Sequence, residues 1–157
     1  MKKIIYLAVS ALLSFSSCSD FLDKKPLDSL TENAVFNDDV LLTAYVTACY
    51  YKSFPNGFDE AMSSSNFNYW NTAYESLRNI NTFFAKYEEA QVTEELKSRL
   101  YGEMKFIRAF VYSNLIWRFG GVPIITKAYT LEDTDYSITR NTYEECVDFI
   151  LKDLDEA

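Results

Sequence analysis

The chain has 157 residues with a formal net charge of -8, and its 48% hydrophobic content, with twelve Phe and twelve Tyr, supports a packed core of about one domain. It contains no histidine, which excludes a Ser-His-Asp triad, a Cys-His pair and imidazole metal sites. The acidic balance lacks the positive field of a nucleic-acid binder, and four Gly with three Pro leave little material for a turn-rich sandwich or barrel.

Met1-Lys2-Lys3 forms a short basic start, followed by a mostly apolar run from Ile4 to Phe15. That run is shorter than the roughly 20 apolar residues a spanning helix requires, but it suits a signal-peptide core over residues 1–17. Ser16-Ser17 then lead into Cys18, the pattern of a bacterial lipobox in which the cysteine becomes the acylated first residue. An ordinary secretory signal with an incidental Cys18 is the alternative. Acylation at Cys18 would anchor the protein, through palmitate-type chains, without a spanning helix. Loss of Lys2 and Lys3 would move the net charge from -8 to -10. Cys49 and Cys146 are expected to be free thiols; an oxidising compartment leaves their pairing open, and both fall on helices where they also serve as small hydrophobes.

Residues 18–36 are expected to form an extended arm, with helices from residue 37 on. Asn37-Asp38-Asp39 supplies a cap and first-turn acids for a helix over Val40–Lys52, with Leu41, Tyr45, Ala48 and Tyr51 at helical spacing. Phe54-Pro55-Asn56-Gly57 ends it, and Ser63-Ser64-Ser65-Asn66 reads as loop. Trp70, Tyr74, Leu77, Ile80, Phe84 and Tyr87 mark a second helix over Tyr69–Tyr87, with Trp70 as its first core residue.

The strongest helix opens at Thr93-Glu94-Glu95 and runs to Phe119 on a stripe of Leu96, Leu100, Met104, Ile107, Val111, Leu115 and Phe119. A second apolar set, Phe106, Phe110 and Trp117, predicts a helix packed between others, with Trp117 as packing mass. Arg108 and Glu103 sit among apolar neighbours; a buried arginine needs a partner, so Arg108 is expected to hold a neighbouring element through carboxylate or carbonyl contacts. Gly120-Gly121 and Pro123 stop the helix, and Val122–Ile125 is a short extended piece. Thr142-Tyr143-Glu144-Glu145 is a capping box opening a last helix through Val147, Ile150, Leu151 and Leu154 to Ala157, where the apolar stripe reaches the final residue as in a truncated sequence. The acids Glu88, Glu89, Glu94, Glu95, Asp153, Asp155 and Glu156 read as solvated faces or helix-start charges. The fold class is all-α, an array of antiparallel helix pairs behind the N-terminal arm.

Several stretches carry a family resemblance. Cys18 with Asp20-Phe21-Leu22-Asp23 and Pro26 resembles the start of SusD/RagB-type lipoproteins. Gly102–Tyr112, continuing into Phe119-Gly120-Gly121-Val122-Pro123-Ile124-Ile125-Thr126, is similar to the family's helix and the turn that follows it. Trp70–Phe84, with Tyr74, Ile80 and Asn81, and Arg140 with Thr142–Ala157 resemble flanking family elements in the same order. The resemblance implies a tetratricopeptide-like, SusD-like α-α superhelix, with residues 37–157 as a truncated N-terminal helical domain. It further implies a lipoprotein on the outer face of the outer membrane that binds a nutrient, chiefly a glycan. The implied partner is a SusC-type TonB-dependent transporter, and neither enzyme activity nor a cofactor, metal or nucleic acid is implied.

Sugar recognition needs aromatic faces beside polar groups, and Phe58, Asp59, Asn66, Phe67, Asn68 and Tyr69 offer both before the second helix. The segment between Tyr51 and Trp70 is shorter than the ligand-contacting loop of many family members. Two rivals remain open. A glycoside hydrolase would need two carboxylates facing across a cleft, and no motif selects such a pair. A structural lipoprotein would use its helical surface to recruit a partner without a soluble ligand.

Overall fold

A computed structural model describes residues 32–54, 69–130, 132–135 and 137–157. In chain order these hold α1 (Glu32–Phe36), α2 (Asp39–Ser53), α3 (Tyr69–Lys86) with a 3-10 turn at Tyr87–Glu89, α4 (Glu94–Phe119) and α5 (Tyr143–Asp155). No strand occurs among the described residues, and none of their helices is long and apolar enough to cross a membrane. The short helix α1 occupies the last residues of the segment expected as an extended arm.

Capping chemistry sets the helix starts. Asp38 rather than Asn37 is the cap of α2, its carboxylate accepting from the amides of Val40 and Leu41 at 2.9 Å each. Asn37 instead accepts from the Gln91 amide at 3.4 Å, tying the turn before α2 to the turn before α4. Thr93 caps α4 through the Leu96 amide, and Thr142 with Glu145 completes the capping box of α5.

Cross-helix pairs fix the directions. The Tyr45 hydroxyl donates to the Asn79 carbonyl at 2.8 Å and Lys52 pairs with Glu75 at 3.1 Å, so α3 runs antiparallel to α2. Phe84 meets Tyr101 while Trp70 meets Phe119, so α4 reverses direction again. Tyr101 reaches Glu156 and Tyr112 packs on Phe149, which reverses α5 in turn. The 26-residue α4, about 39 Å long at 1.5 Å per residue, lies against α2, α3 and α5.

The stripe expected on α4 is real: Leu100, Met104, Ile107, Val111 and Leu115 are all buried. Its second buried face is different from the one expected. It consists of Lys105, Arg108, Ala109, Tyr112 and Ile116, of which Lys105, Arg108 and Tyr112 meet α5, whereas Phe106 and Trp117 are exposed and Phe110 is half-buried, stacked on Phe54 at 4.1 Å. Long charged side chains lay their stems along apolar surface, so a face carrying two cations outranked one carrying two large aromatics.

Helix α2 is also turned from its expected phase. Leu42, Val46, Cys49 and Ser53 face inward while Ala48 and Tyr51 are exposed, with Leu41 and Tyr45 half-buried. Apolar residues surround this helix, so the sequence pattern did not select one side. On α5 the inward residues are Cys146, Ile150 and Asp153, and Leu151 and Leu154 are exposed. Cys49 and Cys146 are free and buried, and burial pushes the Cys49 thiol up to about 12 against a smaller opposing effect of Lys52.

Candidate functional site

Two constellations on α4 combine polar and aromatic groups. The first lies between α3, α4 and α5. Arg108 donates to both carboxylate oxygens of Asp153, Nε to Oδ2 at 2.6 Å and Nη2 to Oδ1 at 2.7 Å. Lys105 Nζ donates to Asp153 Oδ1 at 3.0 Å and to Glu156 Oε2 at 2.5 Å. The Arg108 guanidinium sits over Phe84 at 4.4 Å and over Phe149 at 5.0 Å, and Nη1 reaches Asn81 Oδ1 at 3.4 Å. Asp153, expected on a solvated face, is only 1% exposed. An aspartate pointed at two cations from another helix is taken out of water, because its charge is neutralised and its oxygens are bonded. Arg108 therefore has the partner its burial demands, and this cluster locks α5 onto α4.

The second constellation lies where α4 ends and α3 begins. Gly120 caps α4 at φ 70°, a left-handed backbone that disfavours a side chain. At Gly121 the reason for glycine is space, since a Cβ would stand 2.2 Å from the Asn141 carbonyl oxygen. The extended Val122–Ile125 segment that follows is stitched down from several sides. The hydroxyl of Tyr74 donates to the Pro123 carbonyl at 2.8 Å, and the Asn81 amide donates to the Ile125 carbonyl at 2.8 Å. The Ile125 amide donates to the Tyr112 hydroxyl at 2.8 Å, and Ile124 N donates to Asn141 Oδ1 at 3.0 Å. Burial raises the phenols of Tyr74 and Tyr112, the latter to about 12, with the Ile125 hydrogen bond opposing. Arg140 Nη1 donates to the Phe119 and Gly121 carbonyls at 3.2 Å each, and its guanidinium covers the Trp70 ring at 5.2 Å. Trp70 itself packs edge-on against Phe119 at 5.2 Å, half-buried at the start of its helix.

Beside this stitched segment, Arg118 spans two rings. Its guanidinium lies 4.4 Å from the centroid of Tyr69 and 5.1 Å from that of Trp117. Nη1 is held at 3.0 Å by both the carbonyl and the side-chain oxygen of Asn114. Burial raises the Tyr69 phenol to about 12, with Arg118 acting in the opposite sense. Trp117 is 79% exposed, contrary to its expected place in the packing.

Of the residues singled out for sugar contact, Tyr69 belongs to this aromatic end, whereas Phe58, Asp59, Asn66, Phe67 and Asn68 lie outside the described residues, as does Cys18. Sequence reasoning took Trp117 for packing mass and passed over Arg118. The available signal was helical phase, because Trp117 stands off the stripe that ends at Phe119, next to the stop at Gly120-Gly121.

Helix α4 packed among antiparallel neighbours, with an aromatic and cationic cluster at its C-terminal end, defines the described residues as a tetratricopeptide-like helical scaffold. Residues 50–157 match the SusD-like family described as "Starch-binding associating with outer membrane", and the chain belongs to this family. It is similar to a SusD-like protein of Formosa agariphila, 24% identical across 98% of this chain and 36% of the relative. The crystal structure of a SusD-like protein from Bacteroides fragilis NCTC 9343 superposes with a TM-score of 0.71 at 29% identity, covering 85% of this chain and 32% of that one. A laminarin-binding SusD-like protein, 21% identical, shares the fold with a TM-score of 0.64 over 76% of this chain and 33% of its own. The chain thus spans about a third of the length of each of these relatives.

Proposed function

We propose that the chain forms the helical scaffold of an outer-membrane lipoprotein, anchored through acylated Cys18, that binds a neutral glycan. The glycan is passed to a SusC-type TonB-dependent transporter. Membership of the SusD-like family across 50–157 carries this reading, since that span takes in all of α3, α4 and α5 and the aromatic end formed by α3 and α4. The described starch association of the family and the laminarin-binding neighbour favour glucans as the ligand class. A binding role is supported by the family description, and the buried carboxylate Asp153 is committed to Arg108 and Lys105 rather than turned to a substrate.

The test is calorimetric titration of the purified protein with maltoheptaose and laminarihexaose, followed by chromatography of the recovered sugar. Saturable heat with the sugar recovered intact is the expected result. Shortened products would replace the reading with a hydrolase, and no heat with either sugar would withdraw glucan binding. Anchoring is tested separately by labelled palmitate, which should enter the wild type and not the Cys18→Ser variant. Co-purification of a TonB-dependent transporter from solubilised outer membranes tests the partner.

A further inference from the structure

We propose that Trp117, with Arg118 and Asn114 behind it, is a stacking subsite for one hexopyranose ring of a neutral glucan; this rests on the glycan-binding reading above. Trp117 is the most exposed large hydrophobic side chain among the described residues. Its neighbours distinguish it from the other exposed ones. Arg118 lies over one side of the indole at 5.1 Å while Nη1 is bound to two oxygens of Asn114 and the same guanidinium rests on Tyr69. The indole is therefore attached to a cation that is itself held by a half-buried ring and by the helix backbone. Tyr51 and Phe106, though exposed, have no such cation on their rings among the described residues.

This arrangement has the two parts that sugar recognition requires. A flat apolar ring open to solvent accepts the C–H face of a pyranose, as aromatic side chains accept other flat rings by stacking. Guanidinium carries five N–H donors in a fixed fork, and those not directed at Asn114 are suited to hydroxyl or ring oxygens at the edge of the stacked sugar. A net charge of -8 disfavours a polyanionic saccharide and leaves a neutral one as the ligand. The rigid cation and amide behind the ring keep its orientation fixed before the sugar arrives, which lowers the ordering cost of binding.

The chain has two tryptophans, so Trp70→Phe leaves Trp117 as the sole reporter. Laminarihexaose or maltoheptaose should shift its emission to the blue and protect it from acrylamide quenching. Trp117→Ala should weaken the calorimetric affinity for the bound sugar about tenfold, equivalent to 1.4 kcal/mol, and Trp117→Phe should weaken it less. The circular-dichroism melting curve of Trp117→Ala should match that of the wild type, separating lost binding from lost folding. If the wild type binds a sugar while Trp117→Ala binds it equally well, the subsite is overturned and the glycan-binding reading stands. If neither sugar binds the wild type, both fall.

Discussion

Arg108 and Arg118 lie on the same helix, and each sets its guanidinium against two aromatic rings. Arg108 is between Phe84 and Phe149 with a bidentate carboxylate partner, buried to 6% exposure. Arg118 is against Tyr69 and Trp117, half-buried, with carbonyl and amide oxygens and no carboxylate as its partners among the described residues. The difference is the counter-charge. A cation removed from water needs an anion to offset its desolvation, and once that anion is bidentate the group is consumed by structure. A cation left partly in water needs no anion, so its remaining donors and the ring beside it stay available to a ligand. The middle of α4 is a lock and its C-terminal end a platform.

The largest effect should come from opening the lock. Asp153→Ala leaves Arg108 buried without its carboxylate, and the loss of stability should be about 3–5 kcal/mol, read from the shift in urea midpoint. The paired change Arg108→Met with Asp153→Leu should recover most of that loss, since an apolar pair of similar volume removes both charges. A single variant as stable as the wild type would show that the pair carries no structural role and would erase the contrast between the two arginines.

Next in size is Gly121→Ala, near the open end. Its Cβ would meet the Asn141 carbonyl at 2.2 Å, so the backbone between α4 and α5 must shift, disturbing the 3.1 Å bond from the Asn141 amide to the Val122 carbonyl. Overpacking of this kind costs about 1–3 kcal/mol, measured by thermal melting. An unaffected variant would mean the segment behind the platform is not rigid.

The pH response sharpens the contrast because the lock joins a shifted carboxyl to a shifted lysine. The hydrogen bond from Lys105 holds the Glu156 carboxyl below its usual range. A carboxyl depressed in the folded state stabilises fully above its unfolded value and loses that contribution as pH falls through the folded value. Lys105 is raised overall: desolvation lowers it, but its bonds to Glu156 and Asp153 prevail. Its contribution is complete below the ordinary lysine value and is lost as pH rises through the higher folded one. Stability should therefore fall on the acid side below the usual glutamate range and again above the usual lysine range. Glu156→Gln should flatten its share of the acid limb, which chemical denaturation across pH would register.

The smallest effect on folding should be at the platform itself. Trp117→Ala should change stability by no more than about 0.5 kcal/mol, as for an exposed side chain outside the packing, in the same urea assay. A loss approaching that of Asp153→Ala would place Trp117 in the core network after all.

Much of this was legible along the chain. The capping box at Thr142–Glu145, the Thr93 start and the Gly120-Gly121 stop are local, so their partners are a few residues away and the sequence displays both. Thr142 and Glu145 bond each other as their spacing required. The stripe from Leu96 to Phe119 was likewise legible, because one face of α4 is uninterrupted. The phase of α2 was not, since Leu41 and Leu42 offer equal burial and only contact with α3 and α4 chose Leu42. The aromatic end was legible only at Tyr69 and Trp70, and its most exposed member was misread as packing.

The sequence by itself determined an all-α chain, the order and ends of its main helices, and the need of Arg108 for a partner, because caps, stops and apolar periodicity act over a few residues. Tertiary structure decided which of several apolar faces were buried and which acid Arg108 would take. Arg108 and Asp153 are separated by 45 positions, and no short-range pattern distinguishes Asp153 from its exposed neighbour Asp155. Packing α5 antiparallel on α4 brought that one carboxylate between two cations, while Trp117 faces water.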